Sequence, residues 1–164
     1  MAISRWTRAS AVVGAALLAV ATVFTAPASA ATDYRAIQMQ MYNWCIDVPN
    51  GSTADRVTLR TATCNGALTQ GWTFTPDSSG TWGELRNRAT NKCMDIRSGS
   101  TSYGGTVQQY TCNGTRAQKF WFQNLFLRNQ NSNMCVVVNG VGSPTDLFQW
   151  GCGTVYDTGW IPLV

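Results

Sequence analysis

Residues 85–120 read LRNRATNKCMDIRSGSTSYGGTVQQYTCNGTRAQKF, and the spacing inside this stretch decides the fold. Leu85 stands eight residues before Cys93, Cys93 stands 19 before Cys112, and Phe120 stands eight after Cys112. The same ruler fits the sequence on both sides. Upstream it runs through Ile37, Cys45, Cys64 and Trp72. Downstream it runs through Leu127, Cys135, Cys152 and Trp160, with 17 residues separating the last cysteine pair. Agreement in register at four positions announces a repeat architecture, in which each unit buries its apolar side only against its neighbours. The units cover about residues 37–76, 84–124 and 125–164.

Helical periodicity is weak in all three units. Short alternating runs open them: Ile37-Gln38-Met39-Gln40-Met41, Glu84-Leu85-Arg86-Asn87-Arg88 and Leu125-Phe126-Leu127-Arg128-Asn129. A Cys-x-x-aliphatic segment follows each, then a glycine-containing loop, a third run reaching the second cysteine, and a fourth carrying Trp72, Phe120 or Trp160. Short runs bounded by Gly, Asn, Asp and Pro read as strands and tight turns. Four strands in each of three units predict twelve strands and an all-β fold. Closure of the three units around a pseudo-threefold axis removes most free strand edges. The aliphatic residues at −8 and the aromatics at +8 are then core residues.

The chain begins with an address. Arg5 and Arg8 precede an uncharged run from Ala11 to Phe24, and Ala28-Ser29-Ala30 supplies the small residues of a signal-peptidase site. That run is short against the roughly 20 residues of a membrane span. Residues 1–30 are expected to be a cleaved signal peptide and residues 31–164 the secreted, extracellular protein, with no membrane insertion after cleavage. Loss of Arg5 and Arg8 lowers the net charge from +4 to +2, and only 12% of all residues are charged. No cluster of Lys and Arg is present to neutralise phosphates, which argues against nucleic acid as a partner. The surface suits neutral polar ligands.

Export also bears on the cysteines. An even count in a small exported domain reads as a disulfide framework. Six cysteines allow 15 pairings, and the repeat register selects Cys45–Cys64, Cys93–Cys112 and Cys135–Cys152. A metal site is the alternative, but the chain has no histidine and no Cys-x-x-Cys, so neither a metal nor another cofactor is expected.

Several motifs now stand in register: Cys45-Ile46-Asp47-Val48 with Cys93-Met94-Asp95-Ile96, Cys64-Asn65-Gly66 with Cys112-Asn113-Gly114, and Gln70-Gly71-Trp72 with Gln118-Lys119-Phe120. Over roughly Ile37 to Val164 this pattern resembles the ricin-type β-trefoil lectins, which are carbohydrate-binding modules. With its Ala-rich leader it is similar to their small secreted actinobacterial members. The resemblance implies up to three sugar sites, one per repeat. Each uses the aspartate two residues after the first cysteine, a polar residue four before the second, and an aromatic two before it. The glutamine of Gln-x-Trp supports the site. A carboxylate accepts paired hydrogen bonds from neighbouring sugar hydroxyls, and an aromatic ring covers the apolar C–H face.

Carried over position by position, the resemblance gives the middle repeat Asp95, Gln108 and Tyr110, backed by Gln118, with Ala117 where asparagine is frequent. The first repeat keeps Asp47 and Gln70 but has Arg60 and Ala62 at the polar and aromatic positions, which predicts a weak or lost site. The third keeps Trp150 but has Val137, Phe148 and Thr158 at the other positions, which predicts no sugar site. The expected partner is therefore carbohydrate of galactose or xylose type, or a polysaccharide, bound by a monomer. An enzyme is disfavoured: there is no histidine for acid–base work and Glu84 is the only glutamate. A protein-binding trefoil, such as a protease inhibitor, is the competing class, since two of the three sites are degraded.

Overall fold

The computed structural model describes residues 33–140, 142–154 and 159–162. The expected signal peptide and its cleavage point lie outside the described residues. In the first repeat β1 spans Ile37–Met39, β2 Trp44–Asp47, β3 Val57–Thr58, β4 Arg60–Thr63 and β5 Trp72–Pro76. In the second, β6 spans Gly83–Asn87, β7 Cys93–Ile96, β8 Val107–Tyr110 and β9 Phe120–Gln123. In the third, β10 spans Phe126–Asn129, β11 Cys135–Val138, β12 Leu147–Trp150 and β13 Trp160–Pro162. Apart from single turns of 3-10 helix, the described residues contain no helix.

Each repeat pairs its second and third strands within itself and lends its last strand to the next repeat. β5 pairs with β6, β9 with β10, and β13 returns to β1 through Ile37↔Pro162, Gln38↔Ile161 and Met39↔Trp160. This cyclic exchange closes the three units on one another and produces the β-trefoil. All three disulfides form as the register requires, each with 5.1 Å between its Cα atoms.

Among the described residues thirteen strands form where the sequence predicts twelve, because the third strand of the first repeat breaks at Leu59. Before the break, Val57 and Thr58 pair with Gln109 and Gln108 of the second repeat; after it, β4 pairs with β2. Leu59 itself turns to the axis. Its N–H donates to the Val107 carbonyl at 3.0 Å, and its carbonyl accepts from the Leu147 N–H at 2.9 Å. Leu59, Val107 and Leu147 each stand five residues before a second cysteine, and all three are buried. The axis is thus made of one equivalent residue from each repeat. A smaller difference lies at β1, which stops at Met39 and leaves Met41 exposed in the following turn.

The core is the set that the ruler picks out. Ile37, Leu85, Leu127, Trp72, Phe120 and Trp160 are all buried, together with Ile46, Met94 and Val136 behind the first cysteines. A buried indole must place its N–H: Trp72 Nε1 donates to the Ile46 carbonyl at 3.1 Å and Trp160 Nε1 to that of Val136 at 2.7 Å. Phe120 occupies the same place in the middle repeat with no donor to satisfy.

Buried amides join the repeats. Gln109 Nε2 donates to the Ser52 and Ala54 carbonyls at 2.6 and 2.7 Å, and Gln149 Nε2 to those of Ser100 and Ser102 at 2.8 and 2.9 Å. Each therefore holds the β2–β3 or β7–β8 loop of the preceding repeat against its own third strand. Such amides are stabilising only when fully partnered, and their oxygens accept from Thr90 Oγ1 at 2.9 Å and Ser132 Oγ at 2.6 Å.

Candidate functional site

Strand alternation sets which side chains can meet. On β7, Asp95 and Cys93 share the face opposite to Met94, and Met94 enters the core. In the β7–β8 hairpin Asp95 lies directly across from Gln108, and Cys93 from Tyr110. Asp95, Gln108 and Tyr110 therefore emerge on one face and converge on a cleft of about 440 Å³. Asp95 and Gln108 are buried in its floor, while Tyr110 is half-buried at its wall.

A chain of hydrogen bonds fixes the floor. Arg97 Nε donates to Gln108 Oε1 at 2.7 Å, and Gln108 Nε2 donates to Asp95 Oδ1 at 2.7 Å. The order is chemically forced, because a guanidinium only donates and a carboxylate only accepts. Arg97 is held in turn by the Arg56 carbonyl at 2.9 Å and Thr58 Oγ1 at 3.2 Å. Burial pushes the Asp95 carboxyl up from its ordinary value. The hydrogen bond from Gln108 and the nearby Gln118 amide oppose that rise, and the charge of Asp55 adds to it.

Gln118 lies beneath the cleft. Its Oε1 accepts from the Asn113 N–H at 2.8 Å and its Nε2 donates to the Thr111 carbonyl at 3.0 Å, with the side chain fully buried. It ties down the turn after Cys112, which carries Asn113 and Thr115 into the cleft lining. Gln70 does the same in the first repeat, accepting from Asn65 N–H and donating to the Thr63 carbonyl, both at 3.0 Å.

The equivalent positions elsewhere are differently occupied. Asp47 Oδ1 accepts from Thr69 Oγ1 at 2.6 Å, and Arg60 Nε stands 3.7 Å from Oδ2, so the protein's own side chains engage this carboxylate. Ala62 leaves no ring beside it. In the third repeat Val137 is buried opposite Phe148, and Trp150 packs against Tyr103 with ring centroids 4.6 Å apart and the rings tilted by 35°. Phe148 meets Trp150 edge-on at 6.3 Å, extending this aromatic face. Thr158 lies outside the described residues.

Two residues enter the middle cleft from the other repeats: Arg56 from the first and Asn131 from the third. Asn131 is anchored by donation from Nδ2 to the Gly99 carbonyl at 2.8 Å. A ruler laid within single repeats assigns neither residue to this site, because both cross a repeat boundary. Glu84 lies beside Cys93 and Cys112, but those sulfurs are joined in a disulfide and the carboxylate faces Lys119 at 3.3 Å. No thiolate is available there to bind a metal.

The model of the ricin-type beta-trefoil lectin domain matches residues 33–158. No curated protein sequence matches the chain significantly. Among solved structures the fold is shared with a designed 3-fold symmetric protein, ThreeFoil, at 21% identity and a TM-score of 0.72, covering 78% of this chain and 96% of that one. It is shared equally with an exo-beta-1,3-galactanase from Clostridium thermocellum, at 21% identity and a TM-score of 0.72, covering 82% of this chain but 30% of the enzyme. The hemolytic lectin CEL-III matches at 20% identity and a TM-score of 0.66, over 80% of this chain and 30% of that protein.

Proposed function

Because the chain belongs to the ricin-type β-trefoil lectin domain family, we propose that it binds carbohydrate without turning it over, through the cleft of its middle repeat. The observation that carries this reading is the convergence of Asp95, Gln108 and Tyr110 on one face of the β7–β8 hairpin, with the carboxylate oriented by the Arg97–Gln108 chain. A fixed carboxylate accepts two vicinal hydroxyls of one sugar, and each bond is strengthened by charge. The Tyr110 ring covers the C–H face of that sugar. Galactose- or xylose-type rings, alone or in a polysaccharide, present this combination. The first repeat is inactive in this reading, since the Thr69 hydroxyl already takes the place of a sugar hydroxyl on Asp47 and the Arg60 guanidinium stands 3.7 Å from its other oxygen.

Such a shallow site binds a single sugar at around millimolar strength, about 4 kcal/mol. We place the working form outside the cell, as residues 31–164 after removal of residues 1–30. Three disulfides are consistent with that compartment. Among the described residues no helix is long and apolar enough to cross a membrane. A glycan array with the purified protein tests the reading. Asp95→Ala and Tyr110→Ala should each lower binding at least about tenfold, the loss of one charge-assisted or stacking contact. Trp150→Ala should leave it nearly unchanged. Absence of retention on every galactose-, xylose- and mannose-containing matrix overturns it.

A protein-binding role has one observation of its own, the Tyr103–Phe148–Trp150 aromatic face in the third repeat. Capture of a protein partner that free sugar does not displace, and that Trp150→Ala abolishes, would favour it.

A further inference from the structure

The middle cleft carries two charges that a neutral sugar does not use. Arg56 enters its lining from the loop of the first repeat and Arg116 from the 3-10 turn Arg116–Gln118. Both are exposed, and among the described residues neither guanidinium is hydrogen-bonded or ion-paired. Exposed arginines are commonly just solvated, so the backbone beneath them is the more telling observation. Arg56 has φ 66°, a left-handed conformation that arginine adopts only when it is held there. Two bonds hold it: its N–H donates to the Gln109 carbonyl at 3.0 Å and its carbonyl accepts from Arg97 Nη2 at 2.9 Å.

The sister repeats show that neither arginine is required by the fold. Eight residues before the second cysteine, where the first repeat has Arg56, the second has Gly104. Gly104 has φ 76° and donates the matching bond to the Gln149 carbonyl at 2.9 Å. Glycine takes this conformation without strain, yet the loop facing the middle cleft keeps an arginine. Four residues after the second cysteine, where the middle repeat has Arg116, the first repeat has Leu68 in the same 3-10 turn. Both positive charges are therefore particular to the one cleft that also keeps Asp95, Gln108 and Tyr110.

We infer that this cleft selects a saccharide bearing an anionic substituent, a carboxylate as in a uronic acid or a sulfate ester. The sugar hydroxyls meet Asp95, and the anionic group is held at the rim between Arg56 and Arg116. Guanidinium is the matching donor, since its planar fork bonds two oxygens of a carboxylate or sulfate at once. The lone carboxylate of the floor is outnumbered at the rim. The Asp55 carboxylate beside it is itself paired to Lys92 at 2.6 Å.

This inference rests on the sugar-binding reading above, and one titration separates the two. Affinities of the protein are measured by calorimetry for a neutral galactose disaccharide, an oligogalacturonate and a sulfated galactan oligosaccharide, at low and high salt, with polyglutamate as a non-sugar anion. The expected result is a preference for one or both anionic sugars of about ten- to hundredfold, the worth of a charged hydrogen-bond pair. It should shrink as salt screens the charges. The oligogalacturonate and sulfated arms tell carboxylate from sulfate. In Arg56→Gln/Arg116→Gln the ratio of anionic to neutral affinity should fall to about one, and Arg56→Lys/Arg116→Lys should restore part of it. Asp95→Ala should weaken all sugars. The inference is overturned by equal affinity for neutral and anionic sugars, by a preference that survives the double glutamine variant, or by polyglutamate binding as tightly as the sugars. Asp95-dependent binding of the neutral disaccharide with no anionic preference refutes this inference alone. Absence of binding to any saccharide refutes both readings.

Discussion

In the proposed sugar site Asp95 has to be buried enough to be held rigid and ionised enough to accept hydroxyls, and these demands oppose each other. Burial raises its pKa, so ionisation in the folded protein is unfavourable relative to the unfolded chain. The sign follows from linkage. A carboxyl raised in the native state contributes stability that is fully present below its ordinary pKa of 3.8 and lost as the pH rises through the native value. At neutral pH the neutral isostere Asp95→Asn should therefore melt at the same temperature as the wild type or higher, with the gap closing in acid, while sugar binding is lost. A clear destabilisation at pH 7 would contradict this account of the residue. The same shift predicts that sugar binding declines on acidification with a midpoint above 3.8, because the protonated carboxyl no longer accepts two hydroxyls. A pH titration of affinity checks it.

At the scale of the element, the turn that follows the second cysteine is where fold and site are joined. Gln118 and Gln70 make the same two backbone bonds in their repeats, and the turn held by Gln118 lines the middle cleft. Gln118→Ala and Gln70→Ala should each cost about 1–3 kcal/mol, the penalty for leaving buried backbone groups unpartnered. Only Gln118→Ala should also weaken sugar binding. Chemical denaturation beside affinity measurement separates the two effects. The indoles work at the same scale: Trp72→Ala removes a buried ring and the partner of the Ile46 carbonyl, and should cost about 3–5 kcal/mol. These elements were legible in the sequence because they recur. Cysteines, aliphatics and aromatics keep their spacing since every repeat must meet its neighbours in one geometry. Leu59 was not legible as a break, because its role depends on Val107 and Leu147 in other repeats. Arg56 and Asn131 were missed as cleft residues for the same reason, as both reach the middle repeat from its neighbours.

For the whole molecule, the proposed sugar site places the chemistry of a threefold scaffold in one third of its mass. Exchange of β5, β9 and β13 between repeats makes the three units mutually dependent, so a repeat whose site has decayed is still needed for folding. Removing the first-repeat disulfide with Cys45→Ala/Cys64→Ala should accordingly lower global stability by about 2–5 kcal/mol and leave a single unfolding transition; separate melting of one repeat would contradict that dependence. The proposed single weak site per chain would also limit avidity, which arises from several sites engaging together. The protein should adhere to a repetitive polysaccharide surface yet fail to cross-link cells as a monomer. The most direct test of the central claim is a glycan array probed in parallel with the wild type, Asp95→Ala and Trp150→Ala. The account predicts saccharide binding that Asp95→Ala abolishes and Trp150→Ala retains; binding that survives Asp95→Ala, or that is lost with Trp150→Ala alone, would place the site outside the middle repeat.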